Sequence, residues 1–407
     1  MFKWDKRLWT LFLIVFCNFL GGTIVLPSLP LYAQRHFDAS PEVISILLAS
    51  FFIAQFLAAP FIGRLSDRYG RLPVLVISQI GTFISFIVLG GATTLPMLFA
   101  GRILDGITGG NVIVAQAYVT DITTRSERTR GLGVIFAGFG LGYILGPALG
   151  GIISAFFDDR ATFFVGAAIS LFTVILTWVT LDESLTPERR ALNAKIGKPS
   201  IRPRDVIANV PLRWILIIGF GAQLSIALLQ SSIALFSEAE LFKGATAQTV
   251  NLGVGLMLTG IGVGQFVTQL AFIKPAVERF GEQRLVIVGA FFRGLGMLSI
   301  AIFVSPWLVG TISLTMIAVS SGLMMPSLQA LATSCVPENQ NGAVLGVYQS
   351  ATSLGIITGT ALGGQLFAIG DRLPFIVGGL VLWLMIMPAL MLSRCPVPAF
   401  RPAKQAV

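Results

Sequence analysis

Twelve apolar runs, each long enough to cross a bilayer, constrain the fold of this chain more than any other feature. A helix of about 20 apolar residues spans a hydrocarbon core of about 30 Å. The runs are continuously apolar, which argues against a membrane β-barrel, and a helix satisfies its own backbone hydrogen bonds in lipid. We therefore predict an all-α membrane protein with twelve transmembrane helices. The predicted spans 1 to 12 are residues 8–34, 41–63, 72–92, 95–122, 129–156, 161–182, 211–237, 247–273, 284–304, 307–334, 341–368 and 373–393.

The chain has too few charged residues to cover its own surface in water. Only 12% of its 407 residues are charged and 55% are hydrophobic, whereas about 25% of a soluble domain is charged. The net charge of +9 could indicate a nucleic-acid partner. However, the basic residues lie in loops between apolar runs, which is the distribution that anionic lipid and membrane insertion favour. We expect membrane lipid, and no nucleic acid, as a partner.

The positions of Lys and Arg predict the orientation in the membrane. If both termini are inside, the inner segments hold 22 of the 28 basic residues. Two more lie within spans, and the outer loops hold Arg35, Arg160, Lys243 and Arg372. Because basic loops remain in the cytoplasm, we predict a multi-pass protein of the cell (inner) membrane with both termini cytoplasmic. His36, beside Arg35, is expected in a solvated loop.

The sequence consists of two related halves. Asp67-Arg68-Tyr69-Gly70 returns 211 residues later as Glu278-Arg279-Phe280-Gly281, and Gly133–Gly151 returns 213 residues later as Gly346–Gly364. Such internal repetition is typical of transporters. We predict two pseudo-symmetric six-helix bundles, residues 1–183 and 211–407, joined by a cytoplasmic linker, residues 184–210.

Several functional classes find no support in the sequence. It contains no phosphate-binding loop, so an ATP-driven pump is not expected. It contains no His-rich or paired-carboxylate arrangement within spans, which argues against an intramembrane enzyme. The three cysteines, Cys17, Cys335 and Cys395, are too widely separated to form a metal-ligand motif. We expect no metal, no cofactor and no enzymatic activity.

Three motifs carry a resemblance to a known family. Gly63–Arg71 resembles the signature loop between spans 2 and 3 of the major facilitator superfamily. Gly101–Gly109 resembles the arginine motif of span 4 in proton-driven members. Gly138–Gly151, which contains Gly146-Pro147, resembles the span 5 motif of drug/proton antiporters. With its twelve spans and two halves, the chain is most similar to the twelve-span drug/proton antiporters of the tetracycline-efflux type.

The resemblance implies that the first motif forms a latch on the cytoplasmic side. In that family an Asp at a helix terminus pairs with basic groups, holding the two halves closed, and an acid at the inner end of span 4 joins it. Carried over to this chain, the latch consists of Gly63, Asp67, Arg68, Gly70, Arg71 and Asp121. The residues themselves predict a short charged loop in which two glycines allow a tight turn.

Arg102 and Asp105 in span 4 are the candidates for proton coupling. They are three residues apart and therefore face the same way on a helix. A charge at the membrane centre costs roughly 2.5–3.5 kcal/mol or more. One interpretation is a structural ion pair; the other is a pair that faces a water-filled cavity, with Asp105 protonated in one state and bonded to Arg102 in the other. Asp105 departs from the family pattern, which has an uncharged polar residue there.

Glycines recur along span 5 and leave one side of the helix without side chains. A neighbouring helix can approach such a groove closely, and Pro147 bends the helix by removing a backbone hydrogen bond. Gly355, Gly359 and Gly363 give span 11 the same groove. We expect these surfaces to slide as one half rocks on the other. The motif residues are Gly138, Gly142, Gly146, Pro147, Gly150 and Gly151.

Polar side chains within spans are candidates for a substrate cavity, although each could instead bond to another helix. They are Asn18, Gln55, Gln116, Gln223 and Gln230. Arg293 in span 9 is expected to contact lipid or to pair structurally. From the resemblance we expect a monomeric secondary transporter that exports drugs or other lipophilic small molecules by alternating access, with the proton gradient as its energy source. A sugar or metabolite symporter or facilitator of the same fold is the alternative.

Overall fold

The computed structural model describes residues 6–123, 128–185, 203–337 and 340–394. Every regular element within these ranges is a helix, and twelve helical spans are long and apolar enough to cross a membrane. This confirms the predicted fold class. Spans 1 to 12 are Leu8–Phe37, Pro41–Tyr69, Arg71–Gly90, Leu95–Ile122, Gly133–Phe156, Asp159–Thr180, Val210–Leu241, Ala247–Phe280, Glu282–Ile302, Pro306–Ser334, Asn341–Ile369 and Leu373–Arg394.

Spans 1 and 4 are each divided into two helices, although the sequence predicted continuous ones. Span 1 consists of Lys6–Ile24 and Ser28–Phe37, and Pro27, at the break, has no N–H with which to continue the hydrogen-bond ladder. Span 4 consists of Leu95–Thr108 and Asn111–Ile122, separated by two glycines. The second break directly follows the segment that carries Arg102 and Asp105.

Three spans of the second sequence half contain a π-helical turn. Such turns are rare and are frequently found at functional sites. The π-helical turns are Ser237–Leu241 in span 7, Thr268–Phe272 in span 8 and Val309–Ser313 in span 10. The α-helical parts around them are Val210–Phe236, Ala247–Val267, Ile273–Phe280, Pro306–Leu308 and Leu314–Ser334, and a short helix, Pro203–Ala208, precedes span 7.

The predicted loop between spans 2 and 3 is wrong in its extent. Helix Pro41–Tyr69 continues through most of the motif and the next helix begins at Arg71. Gly70 alone makes the turn, with φ 114°, a conformation that glycine adopts at little cost. Gly63 lies within the helix and has open space where a Cβ would be. Charged side chains at a helix end reach water without ending the helix, so their presence did not indicate a loop.

The described residues fall into two compact units. The first comprises those of Met1–Gly197 together with Ser237–Thr259, and the second those of Lys198–Phe236 together with Gly260–Val407. A segment of the second sequence half is therefore grouped with the first. The division into bundles 1–183 and 211–407 stays a prediction, and most of the predicted linker, residues 186–202, lies outside the described residues.

Candidate functional site

Arg71 lies at the centre of the residues predicted to form a latch. Its Nη1 lies 2.7 Å from Asp67 Oδ1, one helical turn earlier, and its Nε donates to Asp121 Oδ2 at 2.9 Å. Nη1 also donates to Ser66 Oγ at 2.7 Å. The Arg71 side chain is only 6% exposed, so its charge depends on these partners instead of water. One guanidinium thus joins spans 2, 3 and 4 through two carboxylates.

Glu183, which follows span 6, also belongs to this cluster and was not predicted. Its carboxylate accepts hydrogen bonds from the backbone N–H groups of Arg71, at 2.9 Å, and Leu72, at 3.2 Å. N–H groups at the start of a helix have no partner within the helix itself, and a carboxylate at that position is favourable. Ser184 Oγ donates to Asp121 Oδ2 at 3.3 Å. An acid immediately after an apolar span was the only local signal for this role.

The structure does not bring every predicted latch residue into the cluster. Asp67, Arg71 and Asp121 meet, and Gly70 supplies the turn that places them. Arg68 instead lies over the ring of Tyr69, 5.4 Å from its centroid. Whether the cluster acts as a latch stays a prediction.

Arg102 and Asp105 form a buried ion pair. Arg102 Nη1 lies 3.3 Å from Asp105 Oδ2, and the two residues are 4% and 5% exposed. The guanidinium also lies 4.4 Å from the ring centroid of Phe51 in span 2. Its Nε has no hydrogen-bond partner among the described residues. In this structure a side chain of span 2 thus lies over the guanidinium, and the part of the pair in proton coupling stays a prediction.

Gln55 holds span 2 against the break in span 4. Its Nε2 donates to the carbonyl oxygen of Gly109 at 3.2 Å. One turn earlier in span 4, a Cβ at Gly106 would lie 3.2 Å from the backbone nitrogen of Gln55 and would overlap the carbonyl oxygen of Phe51. Spans 2 and 4 are therefore in backbone contact beside the Arg102–Asp105 pair. Gln55, a candidate for the substrate cavity, thus bonds to another helix, which was the other interpretation of the polar residues within spans.

Of the remaining cavity candidates, Asn18 and Gln116 belong to the first compact unit, and Gln223 and Gln230 belong to the second. Asn18, Gln116, Gln223 and Gln230 are each partly exposed, and the Oδ1 of Asn18 is buried without a partner in the described part of the chain. An open groove of about 480 Å³ lies between spans 2 and 4, but none of these residues lines it. Its lining is Ser50, Ile53, Ala54, Leu57, Ala58, Phe61, Ile103 and Ile107. The substrate cavity stays a prediction.

The glycines of span 5 contact the backbone of span 1. A Cβ on Gly138 would lie 3.0 Å from the carbonyl oxygen of Phe12, and one on Gly142 would lie 2.8 Å from that of Phe16. Farther along, a Cβ on Gly150 would overlap the carbonyl of Ile24. The groove predicted on span 5 is thus filled by the backbone of span 1.

Span 11 contacts span 7 in the same way. A Cβ on Gly355 would overlap the carbonyl oxygen of Phe220, and one on Gly359 would overlap that of Leu224. Gly363 faces Ser231 and Ser232. The second glycine groove therefore has the same kind of partner as the first.

Arg293 is buried, with 1% exposure, and so does not contact lipid. Its Nη2 donates to the backbone carbonyl of Ala222 at 2.9 Å. Span 9 is therefore bonded to span 7, so Arg293 has a structural role instead of a contact with lipid.

Comparison with protein families and with known proteins places these features in context. The family model described as Major Facilitator Superfamily matches residues 11–253 and 243–406. Tetracycline resistance protein, class C, of Escherichia coli is 32% identical over 377 residues, which is 91% of this chain and 93% of that protein. Multidrug resistance protein 2 of Bacillus subtilis (strain 168) is 29% identical over 380 residues, 92% of each chain.

Solved structures show the same fold at low sequence identity. The nucleoside transporter NupG has a TM-score of 0.78 at 14% identity, covering 96% of this chain and all of that one. A bacterial homologue of the human lysosomal transporter Spinster, in an inward-facing and occupied conformation, has a TM-score of 0.77 at 15% identity and covers 98% of each chain.

Proposed function

Because this chain belongs to the major facilitator superfamily, we propose that it is a proton-coupled exporter of lipophilic small molecules that works by alternating access. Membership makes it a multi-pass membrane transporter and not an enzyme. Beyond family membership, we propose the direction of transport, the coupling ion and the substrate class. It also places the protein in the cell (inner) membrane with both termini in the cytoplasm.

The buried Arg102–Asp105 pair is the observation that carries the proposal. Both charges lie in a membrane span, where an ionised side chain is expensive and usually functional. The distance between the two groups is long for an ion pair, at 3.3 Å, and the Nε of Arg102 is unpartnered among the described residues. A pair with incomplete hydrogen bonding is easier to rearrange than one in which every donor is satisfied.

The surroundings suggest how a proton could change the conformation. When Asp105 is ionised, it neutralises Arg102 and spans 2 and 4 stay packed through Phe51. When Asp105 gains a proton, the guanidinium loses its counter-charge in a site with little water. An uncompensated buried charge is strongly destabilising. We propose that the contact between spans 2 and 4 then opens and that water or substrate reaches Arg102.

The similarity of this chain to tetracycline and multidrug resistance proteins supports export of drug-like compounds. Tetracycline and ethidium are therefore the probes to use first. Inverted vesicles that contain the protein should accumulate one of them when the lumen is acidified, and a protonophore should abolish the accumulation. Movement of a sugar or metabolite in the same direction as the protons, and no drug movement, would support the symporter alternative.

Asp105→Asn tests the role assigned to the ion pair. The amide keeps the shape of the carboxylate but carries no charge and does not titrate, so proton-driven accumulation should fall to the level of empty vesicles. Drug binding to purified protein, measured as a thermal shift, should remain. Glu278→Gln, at an exposed acid outside the pair, is the matched control and should transport normally. Full proton-driven efflux by Asp105→Asn would refute the assignment.

A further inference from the structure

Four polar side chains meet at the end of span 1, and none of them belongs to a predicted site. Arg35 lies in the last turn of helix Ser28–Phe37, and Asp159 is the first residue of span 6. Glu238 lies in the π-helical turn of span 7, and Asn251 lies near the start of span 8. All four belong to the first compact unit. We call them the Arg35 cluster.

Arg35 contacts the other three members directly. Its Nε and Nη2 lie 2.9 and 2.8 Å from Glu238 Oε1. Its Nη1 donates to Asn251 Oδ1 at 3.1 Å and lies 3.5 Å from Asp159 Oδ2. Asn251 Nδ2 in turn donates to Asp159 Oδ1 at 3.1 Å. The amide of Asn251 therefore bridges the guanidinium and the buried carboxylate and closes a ring of contacts.

Burial of Asp159 and Asn251 makes a partly broken cluster costly. Asp159 is 5% exposed, Asn251 is 2% exposed and the Arg35 side chain is 20% exposed. A buried charge that loses one partner is strongly destabilised unless water replaces that partner. A half-broken cluster is consequently unfavourable. The two favourable arrangements are one with every contact made and one in which the groups have separated and are hydrated.

The helix that carries Arg35 is itself fixed in place. Tyr32, one turn earlier, accepts a hydrogen bond from Arg160 Nε at 2.9 Å and donates one to the carbonyl oxygen of Ala92 at 3.3 Å. His36 packs on the Tyr32 ring, with centroids 4.6 Å apart. It is exposed, as the sequence predicted, but it lies in a helix and not in a loop. Opening of the cluster is therefore expected to involve movement of the segment that carries Glu238 and Asn251.

That segment contacts span 5 through a surface with few side chains. A Cβ on Gly151 would lie 2.8 Å from the carbonyl oxygen of Asn251 and 3.0 Å from the Cα of Gly255. A Cβ on Gly255 would lie 2.7 Å from the carbonyl oxygen of Pro147. Small residues of this kind let two helix backbones meet without interlocking side chains. The ion cluster thus adds a specific contact at a smooth crossing.

The sequence positions show what the cluster connects. Arg35 and Asp159 belong to the first sequence repeat, while Glu238 and Asn251 lie 203 and 216 residues after Arg35, in the second. Asp159 begins span 6 and Glu183 of the latch follows its other end. Span 6 has 22 residues, so the two clusters lie about 33 Å apart along it.

We propose that the Arg35 cluster is a second latch, which holds residues 237–259 against spans 1, 5 and 6 at the outer end of the transporter and must open before substrate leaves. The proposal rests on alternating access, the mechanism proposed above. Each end of span 6 then has one arginine placed between two carboxylates. Release of the Arg35 cluster exposes the outer side to water, as release of the first latch exposes the inner side.

The test is the accessibility of a reporter cysteine from outside the cell, which needs no transported substrate. Asn18→Cys, deeper in span 1, is placed in a variant whose three native cysteines are replaced by serine. Intact cells are treated with a membrane-impermeant maleimide. We expect Arg35→Gln and Glu238→Gln each to be labelled about tenfold faster than the parent, since truncating one partner of such a pair shifts an equilibrium by at least that factor.

Two controls separate a latch from a merely structural contact. Asp158→Asn removes an exposed acid beside Asp159 and should leave the labelling rate unchanged, whereas Asp159→Asn should raise it. Exchanging the charges, Arg35→Glu with Glu238→Arg, should return the rate toward that of the parent. Variants that unfold at a lower temperature but are labelled at the parent rate would overturn the proposal.

The result also distinguishes this inference from the proposed function. Faster labelling without any proton-driven drug movement would support the second latch and count against the exporter. Normal drug export with a labelling rate that no Arg35, Asp159 or Glu238 substitution changes would support the exporter and overturn the second latch.

Discussion

Spans 2 and 3 join through Gly70, and spans 8 and 9 join through Gly281, the equivalent residue of the second repeat. Both glycines have a positive φ, 114° and 76°, and in both places a helix ends at the preceding residue and another begins at the following one. The aromatic residues before them, Tyr69 and Phe280, are both exposed. The backbone of this turn is therefore the same in the two halves.

The charges around the two turns differ. In the first repeat Asp67 and Arg71 form an ion pair one helical turn apart, at 2.7 Å. The equivalent residues in the second repeat are Glu278 and Glu282, and like charges at this spacing repel. Within the described ranges neither glutamate forms an ion pair. The second repeat thus has a similar turn without the ion pairs that surround it in the first repeat.

The glycine grooves, in contrast, are present in both repeats. Span 5 contacts the backbone of span 1, and span 11 contacts the backbone of span 7, each through glycines four residues apart. The buried Arg102–Asp105 pair has no equivalent, because the corresponding part of span 10 contains no charged residue. The packing surfaces are thus duplicated, whereas the charged groups of the proposed mechanism are concentrated in the first repeat.

Arg71→Glu, which copies the second repeat into the first, is the substitution with the largest expected effect. It places a third carboxylate beside Asp67 and Asp121 and removes their shared cation, and breaking a buried pair costs about 3–5 kcal/mol. We expect a large fall in the unfolding temperature of the protein in detergent. The reciprocal change, Glu282→Arg, creates a partly exposed pair with Glu278 and should alter stability by only about 0–1 kcal/mol. Similar unfolding temperatures for the two variants would contradict the difference between the charges around the two turns.

Gly150→Ala and Gly359→Ala test whether the two glycine grooves are equivalent. In each variant the new Cβ overlaps a backbone carbonyl, that of Ile24 or Leu224, which cannot rotate away. Overpacking of this kind costs about 1–3 kcal/mol, so both should unfold at lower temperatures. Gly133→Ala and Gly346→Ala are matched controls in the same two helices.

The control positions have no atom within 4 Å of the added Cβ, so alanine there should be neutral or should stabilise the helix by up to about 1 kcal/mol. If only one of the two groove variants is destabilised, the repeats do not share their packing. Thermal unfolding of the four variants in one detergent gives the comparison.

The sequence predicted the features that depend on local pattern. Continuous apolarity located the twelve spans. The pairing of Asp67 with basic groups was expected from the family resemblance, because the sequence pattern itself predicted a loop there. Asp121 was added by family resemblance. Glu183 was missed because it contacts Arg71 from 112 residues away, and the Arg35 cluster was missed because no motif joins residues on four different helices. The extent of span 2 was misjudged because a charged helix end has the composition of a loop.

Glu183→Gln makes the smallest of these changes and separates the helix cap next to Arg71 from the ion pairs of the Arg71 side chain. The amide has one carbonyl oxygen and no charge, so it cannot accept equally well from the N–H groups of both Arg71 and Leu72. Loss of a cap costs about 0.5–2 kcal/mol. Hydrogen exchange should accelerate at these two amides at the start of span 3.

The start of span 9, at Glu282, is the internal comparison for this exchange experiment, because it begins after the equivalent glycine. Its amides should exchange at the same rate in Glu183→Gln as in the parent, and Glu278→Gln should change neither turn. Unchanged exchange at Arg71 and Leu72 would mean that the ion pairs of Arg71 alone hold this helix end. In that case the difference between the repeats would lie in one arginine rather than in the whole set of groups around Gly70.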